Sequence, residues 1–564
     1  MIGLYNAMIT KLLNTQTKSI SFASLILAAS YFFSAMLGLL RDHLLAGKFG
    51  AGNELDVYYA AFTVPDFIAL ILVFGAISSA IIPIFSSYLV DSEDEAWKYT
   101  AALLNVFLLF LIGVCLIFIL FAPFFVSLIT PGFTQEKREM TVLLMRIMFL
   151  SPIILGTSSI ISGILQVFKR FLVTALAPLM YNIGIIAGII FFVPKFGLVG
   201  LAFGVVLGGI LHLLIQLPAF FYSGFSCKKI FNSSARLATS FRHPGVVKTL
   251  KLMLPRSLGL GAGQLNTIAV TAIGSTLATG SIAIFNLANN LSSIFVNAFA
   301  VSLSTAIFPA MSLAYSRENK KGFERKFSSA FLQILFFTVP ISILIFILRA
   351  QIVRVVLGTG KFGWIDTRLT AACLGLFCLG LFAQGLIFIL SKTFYAAHNT
   401  KIPAWISFGT VVFNILMSFF FVYLLNLHGL FFDFMQFLLR LQGIHNIGVL
   451  GLPLAFSITA IAEALLLSFF IYKKFKIFRL KEIASSLYKI LISCAVMAVF
   501  AVLARYSLVA YNFVELQTFW GVFLQLMASG GVGVFFYIMT SYFLKSPELK
   551  TIKESFFSKN GANK

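Results

Sequence analysis

Charged residues are scarce in this chain of 564 residues. They make up 11% of the sequence and only 19 of them are acidic, whereas soluble domains carry about 25% charged residues. Hydrophobic residues reach 60%, and apolar runs of about 20 residues, the length that crosses a bilayer, recur along the chain. A soluble globular domain is therefore excluded. An outer-membrane β-barrel is excluded too, because the runs are continuously apolar rather than alternating.

The usual signatures of catalysis and of nucleotide binding are also missing from the sequence. The five cysteines are scattered and show neither a disulfide pattern nor metal-ligand spacing. No GxxxxGK[ST] phosphate-binding loop occurs, and no grouping of serine, histidine and aspartate indicates a nucleophilic site. These absences argue against an enzyme, against a bound metal and against direct use of ATP.

The apolar runs predict an all-α polytopic membrane protein with about fourteen transmembrane helices. The first 19 residues contain two lysines and are typical of a cytoplasmic lead-in rather than of a cleavable signal peptide. We place the spans at 20–47, 56–89, 98–123, 139–167, 172–194, 197–223, 246–275, 280–314, 327–349, 366–395, 402–426, 448–471, 484–506 and 516–544.

The distribution of lysine and arginine predicts the orientation of these spans. If the N-terminus is cytoplasmic, 29 of the 42 basic residues fall in inner segments and ten in outer segments. Because basic residues accumulate on the cytoplasmic side, we expect both termini to be cytoplasmic. The formal net charge of +23 then belongs to an inner surface that faces anionic membrane lipids, and a nucleic-acid partner is not expected.

The chain contains an internal repeat. The segment VFGAISSAIIPIFSSYL (73–89) resembles AVSLSTAIFPAMSLAYS (300–316), with Pro83 matching Pro309. An even number of spans in each half makes the repeats parallel, and transport folds of this type place the substrate between the halves. The predicted organisation is a lead-in (1–19), a six-helix lobe (20–223), a basic cytoplasmic linker (224–245), a second six-helix lobe (246–471), two extra helices with a preceding basic loop (472–545) and a cytoplasmic tail (546–564).

Polar side chains recur at helical spacing on one face of spans 1, 2, 7 and 8. A charged group inside the membrane costs roughly 3 kcal/mol or more unless it faces protein or water. We therefore predict one hydrated polar cavity shared by the four helices. The stripes are Ser30, Ser34, Gly38 and Arg41 in span 1; Asp56, Tyr59, Thr63 and Asp66 in span 2; Arg256, Gln264, Thr267 and Thr271 in span 7; and Asn286, Asn290, Ser293 and Asn297 in span 8.

Each of these residues also has a purely structural interpretation. The asparagines can hold helices together by hydrogen bonds, Asp56 can cap the start of span 2, and Arg256 can be one more positive-inside residue at the lip of span 7. For Arg41 the alternative is a structural ion pair. Neighbouring residues on a helix point about 100° apart, so we expect Arg41 and Asp42 not to pair with each other.

Three stretches carry a resemblance to a known family. LGLLRDHLLAGKFGAGNELDVYYAAFTVPDF, beginning at residue 37, VVLGTGKFGWIDT (355–367) and TFYAAHNTKIPA (393–404) resemble the MviN/MurJ-type lipid II flippases of the multidrug/oligosaccharidyl-lipid/polysaccharide exporter superfamily. The resemblance implies a V-shaped pair of lobes around a cationic cavity, with the last two helices holding a polyprenyl tail. It also implies alternating access that carries lipid-linked peptidoglycan precursor from the inner to the outer leaflet of the bacterial cytoplasmic membrane.

The resemblance extends to individual residues, but several charged residues that the family usually carries are absent from this sequence. By position, Arg41 and Asp42 match the family's arginine–aspartate pair, Ser34 its small polar residue, and Asp56 an acidic residue that opens the second helix. Where the family usually carries further charges, this sequence has Ala35, Ala69, Phe74 and Asn290. The chain is therefore either a divergent flippase that holds the head group with fewer charges or a flippase for a different substrate.

These patterns suit a polyprenyl-pyrophosphate glycolipid. Arg41 offers a permanently charged fork for the pyrophosphate, the amides suit sugar hydroxyls and peptide groups, and Asp42 orients Arg41 or binds a coupling cation. We expect no cofactor, with transport driven by such a cation or by the membrane potential, and a monomer that contacts membrane lipids and cell-wall synthesis proteins. The alternatives are a flippase for another lipid-linked oligosaccharide, a cation-coupled drug exporter and a non-transporting scaffold. The candidate substrate-binding residues are Ser34, Arg41, Asp42, Asp56, Arg256, Gln264, Asn286, Asn290 and Asn297.

Overall fold

A computed structural model describes residues 20–74, 80–225, 237–477, 479–511 and 513–551. Every regular element in these ranges is helical, which confirms the predicted all-α class. Within the described ranges, eleven helical stretches are long and apolar enough to cross a membrane. They are Glu93–Leu120, Gln135–Val167, Phe171–Phe196, Val199–Tyr222, Ser281–Ser316, Lys320–Leu357, Trp364–Ala396, Lys401–Asn426, Gly448–Phe475, Lys481–Ala510 and Phe519–Phe543.

Each of the eleven stretches coincides with a predicted span. The agreement is closest for Lys401–Asn426, which the sequence places at 402–426. The other three predicted spans, 20–47, 56–89 and 246–275, fall on stretches with residues outside the described part, so the count of fourteen stays a prediction. The longest helix, Lys320–Leu357, is 38 residues long and thus extends well past the roughly 20 residues that cross the hydrocarbon.

The described residues cluster into two compact units that divide between Ile282 and Ala283. By its contacts, helix Pro244–Ser275 belongs to the first unit, because it packs against helices of that unit. The α-helices of the first unit are α1 (Ile20–Phe49), α2 (Asn53–Ile68), α3 (Ile82–Asp91), α4 (Glu93–Leu120), α5 (Ala122–Ile129), α6 (Gln135–Met148), α7 (Leu150–Val167), α8 (Phe171–Ala187), α9 (Val193–Phe196), α10 (Val199–Leu214), α11 (Leu217–Tyr222), α12 (Leu237–Phe241) and α13 (Pro244–Ser275).

Helix α8 and the turn that follows it approach α10 at glycines. A Cβ atom on Gly184 would lie 2.3 Å from the Cα of Gly208, and one on Gly188 would lie 2.4 Å from the Cα of Gly204. Small residues four apart let two membrane helices approach at backbone distance, where dispersion and close packing hold them together. This contact fixes α8, which carries Asn182, within the first unit.

The second unit contains the remaining helices. Its last two helices pack on the long helix from Lys320, where the Tyr537 hydroxyl donates to the carbonyl of Phe336 at 2.7 Å. The helices are α14 (Ser281–Val296, whose first two residues precede the division), α15 (Ser302–Ser316), α16 (Lys320–Leu357), α17 (Trp364–Ala396), α18 (Lys401–Asn426), α19 (Leu430–Leu439), α20 (Gly451–Phe475), α21 (Leu480–Ala510) and α22 (Phe519–Phe543), with a 3-10 turn at Gly448–Leu450.

Both copies of the internal repeat contain a π-helical segment. One runs over Ala69–Phe74 and the other over Asn297–Val301. When Pro83 is aligned with Pro309, these two segments overlap, so the irregularity occurs at equivalent places in the two halves. A further π-helical segment follows α8 at Gly188–Phe192. π-Helical turns are rare and are frequent at functional sites.

Two of the family-like stretches are helix boundaries. In VVLGTGKFGWIDT, α16 ends at Leu357 and α17 begins at Trp364, where the Asp366 carboxylate accepts the Gly363 N–H at 3.0 Å. In TFYAAHNTKIPA, the Asn399 side chain accepts the Ile402 N–H at 3.3 Å at the start of α18. Side-chain acceptors of this kind satisfy the unpaired N–H groups of a first turn. These two stretches therefore have a structural explanation.

Gly280 provides a stability test of the first unit. Its φ is +88°, and a Cβ atom added there would lie 2.0 Å from the carbonyl oxygen of Ala51. We expect Gly280→Ala to destabilise the protein by about 2 kcal/mol or more, because both strain and a backbone clash oppose it. Thermal unfolding in detergent measures this, with Gly113→Ala as the control, since a Cβ there meets nothing within 4 Å. Equal melting temperatures for the two variants would contradict the expectation.

Candidate functional site

Arg41 and Asp42 pair with each other on α1. The Nη2 and Nε atoms of Arg41 lie 2.9 and 3.0 Å from the same oxygen, Oδ1 of Asp42. The expectation that two neighbouring helical residues would not pair is therefore wrong. The helical angle describes the Cα–Cβ directions, but the long, flexible arginine side chain bends back and reaches the adjacent carboxylate. The Arg41 side chain is 23% exposed and that of Asp42 is 5% exposed.

Asn182 of α8 joins this pair to Ser34. Its Oδ1 accepts a hydrogen bond from Nη1 of Arg41 at 3.4 Å, and its Nδ2 donates to Oγ of Ser34 at 3.3 Å. Ser30 donates to the carbonyl of Ala175, two turns before Asn182 on α8. Four of these residues thus form one group, which we call the α1–α8 polar cluster: Ser34, Arg41, Asp42 and Asn182.

Asn182 is a functional candidate that the sequence analysis missed. It lies in a predicted span whose other residues carry no strong polar group except at its ends, and it is buried. Its isolation as an asparagine in an apolar span was the sequence signal that could have identified it. Its partners come from α1, about 140 residues away in sequence, so the spacing within its own helix could not identify them.

A second polar contact joins α2 and α13. The carboxylate of Asp66 hydrogen-bonds to the side chain of Gln264. Asp66 is exposed on the surface of the first unit, whereas Gln264 is half-buried. The predicted stripes of spans 2 and 7 therefore meet at this pair. The polar faces predicted for spans 1 and 2 also lie next to each other. Tyr59 on α2 is near enough to Arg41 and Asp42 on α1 to interact with them electrostatically.

Asp56 lies in a structural contact. It is 3% exposed, and its Oδ2 accepts the N–H of Gly280 at 2.6 Å. Its own N–H donates to the carbonyl of Gly52 at 3.1 Å, in the first turn of α2. The carboxylate therefore ties the start of α2 to the turn before α14, and this geometry favours the structural interpretation of Asp56.

The remaining candidates lie on α13 and on α14 with its π-helical continuation. The side chain of Arg256 lies outside the described residues. Asn286 and Asn290 are half-buried on α14, and Asn297, also half-buried, opens the π-helical segment. The α-helical spacing that the sequence predicts for these asparagines therefore holds as far as Val296. Asn297 already lies in the π-helical segment, where the spacing differs.

Glu463 of α20 is another residue that the sequence analysis did not select. Its Oε1 accepts the Ser407 hydroxyl at 2.8 Å, and its Oε2 accepts the Thr410 hydroxyl at 3.3 Å, both from α18. It is the only charged residue in the predicted span 448–471. That isolation was a usable signal, since an ionisable residue within a membrane helix is a functional candidate by default.

Comparison with known proteins identifies the family. The family model described as lipid II flippase MurJ matches residues 45–524. A probable lipid II flippase MurJ of Buchnera aphidicola is 30% identical over 395 residues, which is 69% of this chain and 76% of the relative. One from Rickettsia prowazekii is 26% identical over 93% of this chain and 97% of its own length.

Solved structures give the same result. A lipid II flippase MurJ in an inward closed conformation superposes with a TM-score of 0.72 at 25% identity, covering 92% of this chain and 99% of that chain. An inward-facing multidrug resistance transporter of the MOP superfamily matches with a TM-score of 0.61 at 15% identity, covering 83% of this chain, which shows a shared fold. This protein is thus a multi-pass protein of the bacterial inner membrane, and it belongs to the lipid II flippase MurJ family.

Proposed function

We propose that this protein moves lipid II from the inner to the outer leaflet of the bacterial cytoplasmic membrane by alternating access. Membership of the MurJ family supports this function. The protein acts as a monomer, without covalent chemistry, through fourteen spans arranged as two six-helix lobes and two extra helices. Both termini are cytoplasmic, as the bias of basic residues indicates.

The observation that carries the proposal is the α1–α8 polar cluster. Asp42 and Asn182 hold the Arg41 guanidinium while leaving about a quarter of the side chain exposed. A guanidinium has five N–H donors, and its contacts to Asp42 and Asn182 use three of them. Arg41 can therefore bind oxygens of a pyrophosphate while Asp42 keeps the guanidinium in place.

Amide side chains in each unit suit the sugar and peptide parts of the head group. In the first unit, Gln264, with Asp66 beside it, offers both donors and acceptors to sugar hydroxyls and peptide groups. In the second unit, the half-buried Asn286, Asn290 and Asn297 offer the same groups. Because these amides are neutral, they compensate only in part for the arginines that the family usually carries. Asp56 acts at a distance by holding the start of α2.

A coupling cation acts at Glu463, together with the membrane potential. Its carboxylate is held by two hydroxyls of α18, and binding or loss of a cation there changes the charge at the contact between α18 and α20. An inside-negative potential favours outward movement of an anionic head group by about 2.3 kcal/mol per charge per 100 mV. No nucleotide is required.

Rescue of a bacterium depleted of its own lipid II flippase tests the proposed function. We expect expression of this chain to restore growth and cell shape and to expose newly made lipid II to a probe added outside the cell. Immunoblotting of the membrane fraction provides the control for expression. Failure of rescue by a protein that is inserted at normal abundance would refute lipid II as the substrate, and rescue of a strain that lacks an O-antigen flippase would then identify another lipid-linked oligosaccharide.

A further inference from the structure

A cavity of about 590 Å³, lined mainly by polar and charged residues, lies within the second unit, where three chain segments meet. The segments are the start of α16, the start of α21 and the residues that follow α22. All three lie on the side of the membrane that the proposed orientation makes cytoplasmic. The volume is in the range of small-molecule sites and is large enough for a glycerophosphate head group.

The lining of the cavity is basic. Arg325, Arg479, Lys481 and Lys489 line it together with two acidic residues. Arg479 is engaged with carboxylates, since its Nε lies 2.7 Å from Glu324 and its Nη1 lies 2.9 Å from Glu482. Arg325 and Lys481 are exposed and carry the charge available to a ligand. An anion therefore suits this cavity better than a cation or a neutral ligand.

The wall contributed by the C-terminal segment is held in place by hydrogen bonds. Glu548 is 3% exposed, and the hydroxyls of Ser486 and Ser546 donate to its carboxylate. Lys489 donates to the carbonyl of Lys545 at 3.2 Å. The second acidic group of the lining is thus already hydrogen-bonded inside the wall, so it opposes an anion less than a free carboxylate would.

One buried hydroxyl in the lining lacks a partner. Ser328 on α16 is 5% exposed, and its Oγ makes no hydrogen bond to the described residues. Buried polar groups are nearly always hydrogen-bonded, because leaving one unsatisfied is unfavourable. Since Ser328 lines the cavity, a ligand oxygen placed there would satisfy it.

We propose that this cavity binds the phosphate of an anionic phospholipid from the cytoplasmic leaflet. Basic residues at this surface attract anionic lipids, and Tyr488, which precedes Lys489 of the lining on α21, is 66% exposed, which suits contact with lipid. The site is separate from the α1–α8 polar cluster, which belongs to the first unit. The proposal depends on the cytoplasmic orientation proposed above.

Binding to the full-length protein in an uncharged detergent tests this proposal without requiring transport. The ligand is dioctanoyl phosphatidylglycerol, with dioctanoyl phosphatidylcholine and inorganic phosphate as separate arms, and the readouts are the melting temperature and the dissociation constant. We expect stabilisation by phosphatidylglycerol alone. Equal stabilisation by phosphatidylcholine would overturn the proposal, and equal protection by inorganic phosphate would overturn the assignment to a lipid.

Substitutions locate the site. In Arg325→Gln/Lys481→Gln we expect about 25-fold weaker binding, because each basic residue near an anionic lipid contributes about fivefold. The matched control is Lys320→Gln/Lys321→Gln, which removes the same charge from exposed positions of α16 that do not line the cavity. Ser328→Ala should weaken binding about fivefold while leaving the lipid-free melting temperature unchanged or higher. Equal losses in the two double variants, or full affinity in Ser328→Ala, would refute the site.

Discussion

Arg41→Glu should abolish rescue of a flippase-depleted strain, with transport reduced at least about 100-fold. The substitution removes a charge-assisted contact to the pyrophosphate and places a carboxylate where the anionic head group binds, and such a like-charge contact costs several kcal/mol. It also places two carboxylates side by side, because Asp42 lies 2.9 Å from the guanidinium in the unaltered protein. Growth rescue and the exposure of lipid II to an external probe measure the effect.

Two further variants distinguish a role of Arg41 in binding the head group from a purely structural role. Lys48→Glu reverses the same charge at an exposed position in the last turn of the same helix and should leave transport within about twofold, since exposed charges contribute little. The exchange Arg41→Asp/Asp42→Arg keeps an ion pair but moves the guanidinium by one position. If Arg41 has only a structural role, this double variant transports as well as the unaltered protein. Full activity would therefore remove Arg41 from the head-group site.

Glu463→Gln should reduce transport about 50-fold at normal protein abundance. That factor corresponds to losing one elementary charge of coupling at a potential of 100 mV, about 2.3 kcal/mol. Glutamine keeps the size of the side chain and its ability to bond to Ser407 and Thr410, so the change removes charge rather than packing. Transport into the outer leaflet at several external pH values and sodium concentrations measures both the rate and its dependence on the cation.

The control for Glu463 removes a hydrogen bond and keeps the charge. Ser407→Ala deletes the 2.8 Å contact to Oε1 and should lower transport about tenfold, less than Glu463→Gln does. Thr410 still bonds to the carboxylate, so we expect the loss to lie at the low end of the range for a hydrogen bond to a charged group, about 1.5 kcal/mol. If Glu463→Gln transports normally and keeps its response to pH and sodium, Glu463 only holds α18 and α20 together. The coupling cation then binds at another residue.

The positions of most helices were predictable because bilayer thickness dictates the length of an apolar run. The span predicted at 366–395 became Trp364–Ala396, and the one at 484–506 became Leu480–Ala510. Helix α19 was not predicted, since its ten residues are too few to cross a membrane and resemble part of a loop. The π-helical segments were not predicted either, because apolar residues such as Ala69–Phe74 suit α- and π-geometry alike.

The candidate site was only partly predictable for a different reason. Polarity inside an apolar run identified Ser34, Arg41 and Asp42, because burial of such groups is costly wherever they lie. Which group bonds to which depends on side-chain reach and on distant parts of the chain. The Arg41–Asp42 pair needed the flexibility of an arginine, and the role of Asn182 needed the contact between α1 and α8, neither of which helical periodicity encodes.

The matching π-helical segments bear on the history of the chain. A π-turn holds one more residue than the α-turn it replaces, and it turns everything that follows by roughly 100° around the axis. Ala69–Phe74 and Asn297–Val301 overlap once the two prolines are aligned. A single insertion in an ancestral half-length chain, before that chain was doubled, would leave such a segment in both halves. The π-helical segment would then be older than the internal repeat itself.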